Sequence, residues 1–176
     1  MKKNLYLFFA IALFPFFTFA QKGSHYLQVS GQAAIPTASL ADIVKTGFGG
    51  SVKGMYGIGV FPQHLTLEAG YNRFAVKDLP SSASAHYSAI PVYLGYRANL
   101  SGFILESQAG LSFNRIAGSG SGGSASANQT AFGWSLGAGY TYKSVELGVR
   151  YQSSEKGDDV QEIRYVGIRL GYNFSL

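Results

Sequence analysis

The sequence predicts an all-β protein, an eight-stranded antiparallel up-and-down transmembrane β-barrel. Three observations predict it. Apolar residues alternate with small or polar ones, at a period of two, in eight separate segments. The connections between those segments are alternately long and short, as in barrels that cross a membrane. After residue 20 no apolar run approaches the roughly 20 residues of a membrane-spanning helix, so a mature chain that lives in a membrane has to cross it as a closed barrel.

The first element is a leader. Residues 1–20 read MKKNLYLFFAIALFPFFTFA, with Lys2 and Lys3 ahead of an almost purely apolar stretch from Leu5 to Phe17. Thr18 and Ala20 supply the small residues of a cleavage site before Gln21, so 1–20 is expected to be a secretory signal peptide and 21–176 the barrel. Pro15 and the shortness of the run argue against a spanning helix. The chain has no cysteine, which excludes a lipid anchor on cysteine, disulfides and cysteine-based metal or redox sites. Losing Lys2 and Lys3 takes the 14 basic residues to 12 against 9 acidic, a net charge of +3. That weak balance, with no basic run carrying interleaved aromatics, does not point to nucleic acid. Charged residues make up 13% of the chain, about half the share in an average soluble domain.

The strands follow in order, each named by its more apolar face. The first carries Leu27, Val29, Gly31, Ala33 and Ile35; the second Val52, Gly54, Tyr56, Ile58 and Val60; the third Leu65, Leu67, Ala69 and Tyr71; the fourth Ile90, Val92, Leu94 and Tyr96. The fifth carries Phe103, Leu105, Ser107, Ala109, Leu111 and Phe113, and the sixth Phe132, Trp134, Leu136, Ala138, Tyr140 and Tyr142. Val145, Leu147, Val149 and Tyr151 mark the seventh, and Val166, Ile168, Leu170, Tyr172, Phe174 and Leu176 the last. Long connections are expected at 36–47, 77–85, 117–129 and 155–161, and tight joins near 61–64, 99–102 and 143–144. The segment GSGSGGSASAN (118–128) reads as a flexible low-complexity loop. TASLADIVK (37–45) reads as a helical turn capped by Thr37 or Ser39.

Alternation does not say which face meets solvent, because a soluble barrel also alternates. The polar faces here are mainly Gly, Ser, Asn and Gln, which suit the narrow interior of eight strands. The apolar faces end in Tyr, Trp and Phe, as interfacial girdles do. The final stretch RLGYNFSL (169–176) repeats the pattern to the last residue. Arg169, Gly171, Phe174 and Leu176 resemble the C-terminal assembly signal that insertion machinery reads in bacterial outer-membrane barrels, with Leu in place of a terminal Phe. The whole mature chain resembles the small outer-membrane β-barrel family of Gram-negative bacteria that contains OmpX-, OmpA- and OmpW-type barrels. KTGFGGSVKGMYGI (45–58) and SAIPVYLGYR (88–97) resemble members from the Bacteroidetes. The resemblance implies residence in the outer membrane, contact with its lipids and lipopolysaccharide, and help from the insertion machinery during biogenesis. A monomer is expected.

Seven charged residues fall on the inward faces: Lys53, Glu68, Arg97, Glu106, Glu146, Arg150 and Arg169. Isolated charges there would be costly, so they are expected to pair, with Gln28, Gln108, Asn72 and Tyr93 as polar partners. Two readings stand: an electrostatic plug that fixes register, or a gated ion path. Glu68, Glu106 and Glu146 lie among cations that favour the ionised form, which disfavours acid–base catalysis. His86 and Ser88 project from one face of strand four, a spacing that resembles the His-x-Ser pair of outer-membrane lipid A deacylases, but no acid is placed beside them. His25 and His64 are scattered, Asp158, Asp159 and Glu162 read as solvated loop, and no cofactor or metal site is expected. The outer end of the lumen is expected to hold Gly, Gln and charges. The sequence thus favours a non-enzymatic barrel with a structural, envelope-integrity or surface-interaction role. A porin-like narrow channel or a transporter of small hydrophobic molecules comes next, and a lipid A-modifying enzyme third.

Overall fold

The computed structural model describes residues 25–58, 62–80, 84–120, 123–155 and 162–176; the leader lies outside them, as do Asp158 and Asp159. Eight strands form one closed barrel: β1 His25–Pro36, β2 Gly47–Ile58, β3 Gln63–Ala75, β4 Ser84–Leu100, β5 Phe103–Gly120, β6 Gly123–Tyr142, β7 Val145–Ser154 and β8 Ile163–Ser175. Each pairs antiparallel with its sequence neighbour, and β8 returns to β1 through register pairs from Tyr26↔Ser175 to Pro36↔Tyr165. Closure leaves no sheet edge along the spanning part of the wall.

The apolar faces point outward. Leu67, Leu94 and Leu170 are 59%, 62% and 60% exposed, while Lys53 and Glu68 are 1% and 2% exposed. A water-soluble protein reverses that order, so the outer surface is built for lipid. The chain reverses tightly at one end. Ser101 (φ 54°) and Gly102 (φ 98°) form a two-residue turn in which both φ angles are positive, the geometry that matches strand twist. The Gly102 N–H donates to Asn99 Oδ1 at 2.8 Å and fixes the turn.

The other end carries the long connections, which makes it the outer, extracellular end of such a barrel, and it departs from expectation in three ways. First, the proposed loop at 118–128 is mostly strand. β5 and β6 run 18 and 20 residues and stay paired as far as Gly120↔Gly123. Crossing a bilayer takes about 9–11 residues, so this hairpin stands out above the membrane. β7 leaves β6 at Gly133↔Ser154, and among the described residues the far edge of β6 before Gly133 has no strand partner. Small residues there alternate without an apolar face because both sides meet water, so the period-two signal is lost.

Second, a helix, α1 Ser39–Ile43, does form, but neither Thr37 nor Ser39 caps it. Ala38, at φ 52°, is the N-cap and no side chain bonds there. Third, the outer end of the lumen is apolar rather than polar. Ala34, Leu40, Val44, Phe74, Tyr87, Ala89, Ile163 and Tyr165 form a buried cluster, with Leu40 brought in by α1. An isolated bridge, Val44↔Val76, and the bond from Lys77 Nζ to Ala41 O (2.6 Å) hold the helical segment down.

Candidate functional site: the lumen network and the outer rim

Strand register sets the lumen chemistry. Lys53 on β2 lies directly opposite Glu68 on β3, and Arg97 on β4 directly opposite Glu106 on β5. On the other side of the barrel the charged residues face glycines: Gly137 is the partner of both Glu106 and Arg150, Gly148 of Arg169, and Gly171 of Glu146. A small facing residue gives these long charged side chains room in the narrow interior. This explains the glycines at strand spacing. A Cβ at Gly133 would lie 2.2 Å from Tyr93 Oη, and one at Gly95 2.5 Å from Gln108 Cγ.

Glu68 is the hub. Its carboxylate accepts from Arg150 (2.8 Å), Gln108 Nε2 (3.1 Å) and Arg169 (3.2 Å), and Lys53 Nζ lies 3.3 Å away. Lys53 also donates to Glu106 at 2.5 Å, while Arg97 stands 4.0 Å from Glu106 and gives both terminal nitrogens to Glu146 at 3.1 and 2.5 Å. That fork is the bidentate geometry a guanidinium is shaped for. The second carboxylate oxygen of Glu146 also accepts from Gln28 Nε2 (2.9 Å), which reaches Asn173 as well (2.8 Å). Arg169 completes its fork on Ser30 (2.8 Å) and Ser51 (3.0 Å). All seven inward charges therefore belong to one connected set, and each carboxylate meets at least one cation.

Neutral groups continue the set upward. Gln108 Oε1 accepts from Arg150 (3.0 Å) and Ser135 (3.1 Å). Gln152 donates to Tyr93 Oη (3.2 Å), and Asn72 donates to Tyr165 Oη (3.0 Å) and bonds with Gln32. Tyr165 is completely buried and joins this polar layer to the apolar cap through Phe74, whose ring centroid lies 5.5 Å away. Sequence reading missed Tyr165 and Gln32. Tyr165 lies one residue before the apolar alternation of β8 that begins at Val166, and Gln32 shares the inward face of β1 with Gln28, which sequence alone favours equally as a partner.

The remaining candidates fall elsewhere. Ser88 donates its hydroxyl to Arg115 O at 3.5 Å, and among the described residues no carboxylate bonds to His86. Glu162 is not free loop: it accepts from Arg164 (2.6 Å) and Ser153 (3.0 Å). The described residues contain no group of His, Asp and Glu placed to hold a metal. At the C-terminus, Arg169 and Gly171 face the lumen, and Phe174 and Leu176 face outward, half exposed. The Leu176 N–H donates to His25 O at 3.1 Å and finishes the closing seam.

The model of the outer membrane protein β-barrel domain matches residues 7–174. No curated protein matches the chain. Among solved structures, the attachment invasion locus protein Ail of Yersinia pestis, in complex with the heparin analogue sucrose octasulfate, is similar at TM-score 0.62 and 16% identity. The match covers 86% of this chain and 97% of that one. Neisserial surface protein A is similar at TM-score 0.60 and 20% identity, over 89% and 100%. The N-terminal β-barrel domain of Pseudomonas aeruginosa OprF is similar at TM-score 0.56 and 14% identity, over 87% and 98%. At these identities the likeness is one of fold.

Proposed function

The chain belongs to the outer membrane protein β-barrel domain family, and on that premise we propose that it is a closed, non-enzymatic barrel that serves the envelope as a structural element and presents a surface for interaction. Its place is the outer membrane of a Gram-negative cell. The observation that carries the reading is the filling of the lumen. The Glu68-centred network occupies its middle, and the Phe74–Tyr165 cluster, with α1, packs its outer end. Among the described residues each of the seven inward charges has a partner of opposite sign within 4.0 Å, which disfavours an ion path, and the buried apolar cluster at the outer end occupies the place where a small hydrophobic molecule would enter. The tall β5–β6 hairpin, with its unpaired polar edge, supplies the interaction surface. Residues 1–20 act as the export signal, Arg169, Gly171, Phe174 and Leu176 as the mark for the insertion machinery, and the working form is a monomer.

Planar-bilayer recording tests the reading. The purified barrel is expected to give no stable unitary conductance steps. Reproducible steps of one size would replace the plug with a channel.

A further inference from the structure

We propose that the outer rim of β3, β4 and β5 carries a binding site for the phosphate of an outer-leaflet glycolipid, formed by Arg73, Arg115 and His86. These three project outward, like the apolar belt below them. The register places Arg73 opposite Ser88, and Ser88 opposite Arg115, so the two arginines flank one serine in a single row across three strands. Their Cα atoms are then about 10 Å apart, two strand spacings, close enough for both guanidinium groups to reach one anion over Ser88. His86 stands two residues further along β4, opposite Ala75 and Ala117. It lines a cleft of about 250 Å³ with Ser84, Arg115, Ser119 and Ser126.

Two further observations point to a ligand. Neither guanidinium has a partner among the described residues, whereas Arg164 is held by Glu162 at 2.6 Å and Lys77 by Ala41 O at 2.6 Å. Two exposed arginines in one row, with no carboxylate between them, leave a gap in charge that an anion fills. The height of the row then selects the anion. Tyr71, Ile90 and Phe113 are the last large apolar outward residues of the three strands at this end, and Arg73, Ser88 and Arg115 stand two residues further out along their strands. That is a rise of about 7 Å along the strand, which leaves the hydrocarbon and enters the headgroup layer. A phosphate attached to an acyl-bearing sugar would sit at this height with its chains along the belt, and a guanidinium binds phosphate by two parallel hydrogen bonds. The site does not depend on whether the lumen conducts, so its failure and that of the sealed-lumen reading are separable.

The test measures binding of the detergent-solubilised barrel to phosphorylated lipid A and to the same lipid dephosphorylated, with inorganic phosphate as competitor. The wild type is expected to prefer the phosphorylated lipid. Arg73→Gln/Arg115→Gln is expected to weaken that binding about 30-fold, from one charge–surface interaction per arginine, and the preference should shrink as salt rises. Lys143→Gln, which removes one charge at the opposite end of the barrel, is expected to change nothing, whereas Arg115→Gln alone should register. Folding is monitored by the shift in gel mobility on heating. Equal affinity for the two lipids, or a double variant that binds like the wild type, would overturn the site. Full displacement by millimolar inorganic phosphate would reassign it to small free anions and equally overturn the proposal.

Discussion

Removing Glu68 is the sharpest perturbation of the lumen. Its carboxylate faces Arg150, Arg169 and Lys53 at 2.8, 3.2 and 3.3 Å, all of them less than a tenth exposed. The lumen set holds four cations (Lys53, Arg97, Arg150, Arg169) and three acids (Glu68, Glu106, Glu146), a balance of +1 that Glu68→Ala raises to +2. Breaking one buried pair by removing a partner costs about 3–5 kcal/mol. Lys53 keeps Glu106 at 2.5 Å and Arg169 keeps Ser30 and Ser51, so the bulk of the loss falls on Arg150, whose other bonds go to neutral Gln108 and Gln32. One fully stranded cation sets the expectation at about 3 kcal/mol or more. Urea unfolding of the barrel in lipid vesicles reads this directly. With a slope near 2 kcal/mol per molar, the midpoint should fall by about 1.5 M. Glu106→Ala should cost less, because Arg97 retains its fork on Glu146. A midpoint for Glu68→Ala within a few tenths molar of wild type, or a larger loss in Glu106→Ala, would refute the hub.

Two further outcomes follow from the same geometry. Gly133→Val should destabilise by roughly 1–3 kcal/mol, because even a Cβ there meets Tyr93 Oη, and combining it with Tyr93→Phe should recover part of the loss in the same urea assay. Phe174→Ser and Phe132→Ser remove outward aromatics of equal exposure, 48% each. They should cost similar stability in refolded protein, while only Phe174→Ser lowers the yield of assembled barrel in cells; equal yields would remove the assembly role from Phe174.

The spanning half of the fold was legible because a bilayer imposes a strict rule on it. Every second residue from Leu65 to Tyr71, or from Val145 to Tyr151, meets lipid, so the apolar period appears in the sequence without knowledge of any partner. The inward charges were legible for the same reason, since a residue such as Glu106 between two outward apolar neighbours has only one place to point. Their pairing was not. Lys53–Glu68 and Arg97–Glu106 follow from register alone, but the fork of Arg97 on Glu146 and the bond of Arg150 to Glu68 cross the lumen between strands distant in sequence. The extracellular half was misread where the rule lapses. The described residues between Gly118 and Asn128 lack an apolar face because water lies on both sides of the hairpin there. The cluster of Leu40, Val44, Phe74 and Ile163 is assembled from a loop helix with its C-cap and the ends of two strands, whose apolar residues, taken singly, carry no pattern.

The two faces of the wall therefore obey opposite rules, and this separates what each can do. On the outside, side chains are exchangeable so long as they are apolar, because lipid fits around them. A polar residue there, such as Arg73 or Arg115, has no packing reason to be present and is best explained by what it meets in the headgroup layer. On the inside, most of the described polar side chains are bonded to a particular partner, Thr66 and Tyr87 being exceptions, so the lumen gains rigidity and loses freedom to admit a guest. A barrel whose interior is committed to holding itself together has its rim, its hairpin edge and its outer loops left for recognition. Function is therefore sought at the margins of this wall rather than through its centre.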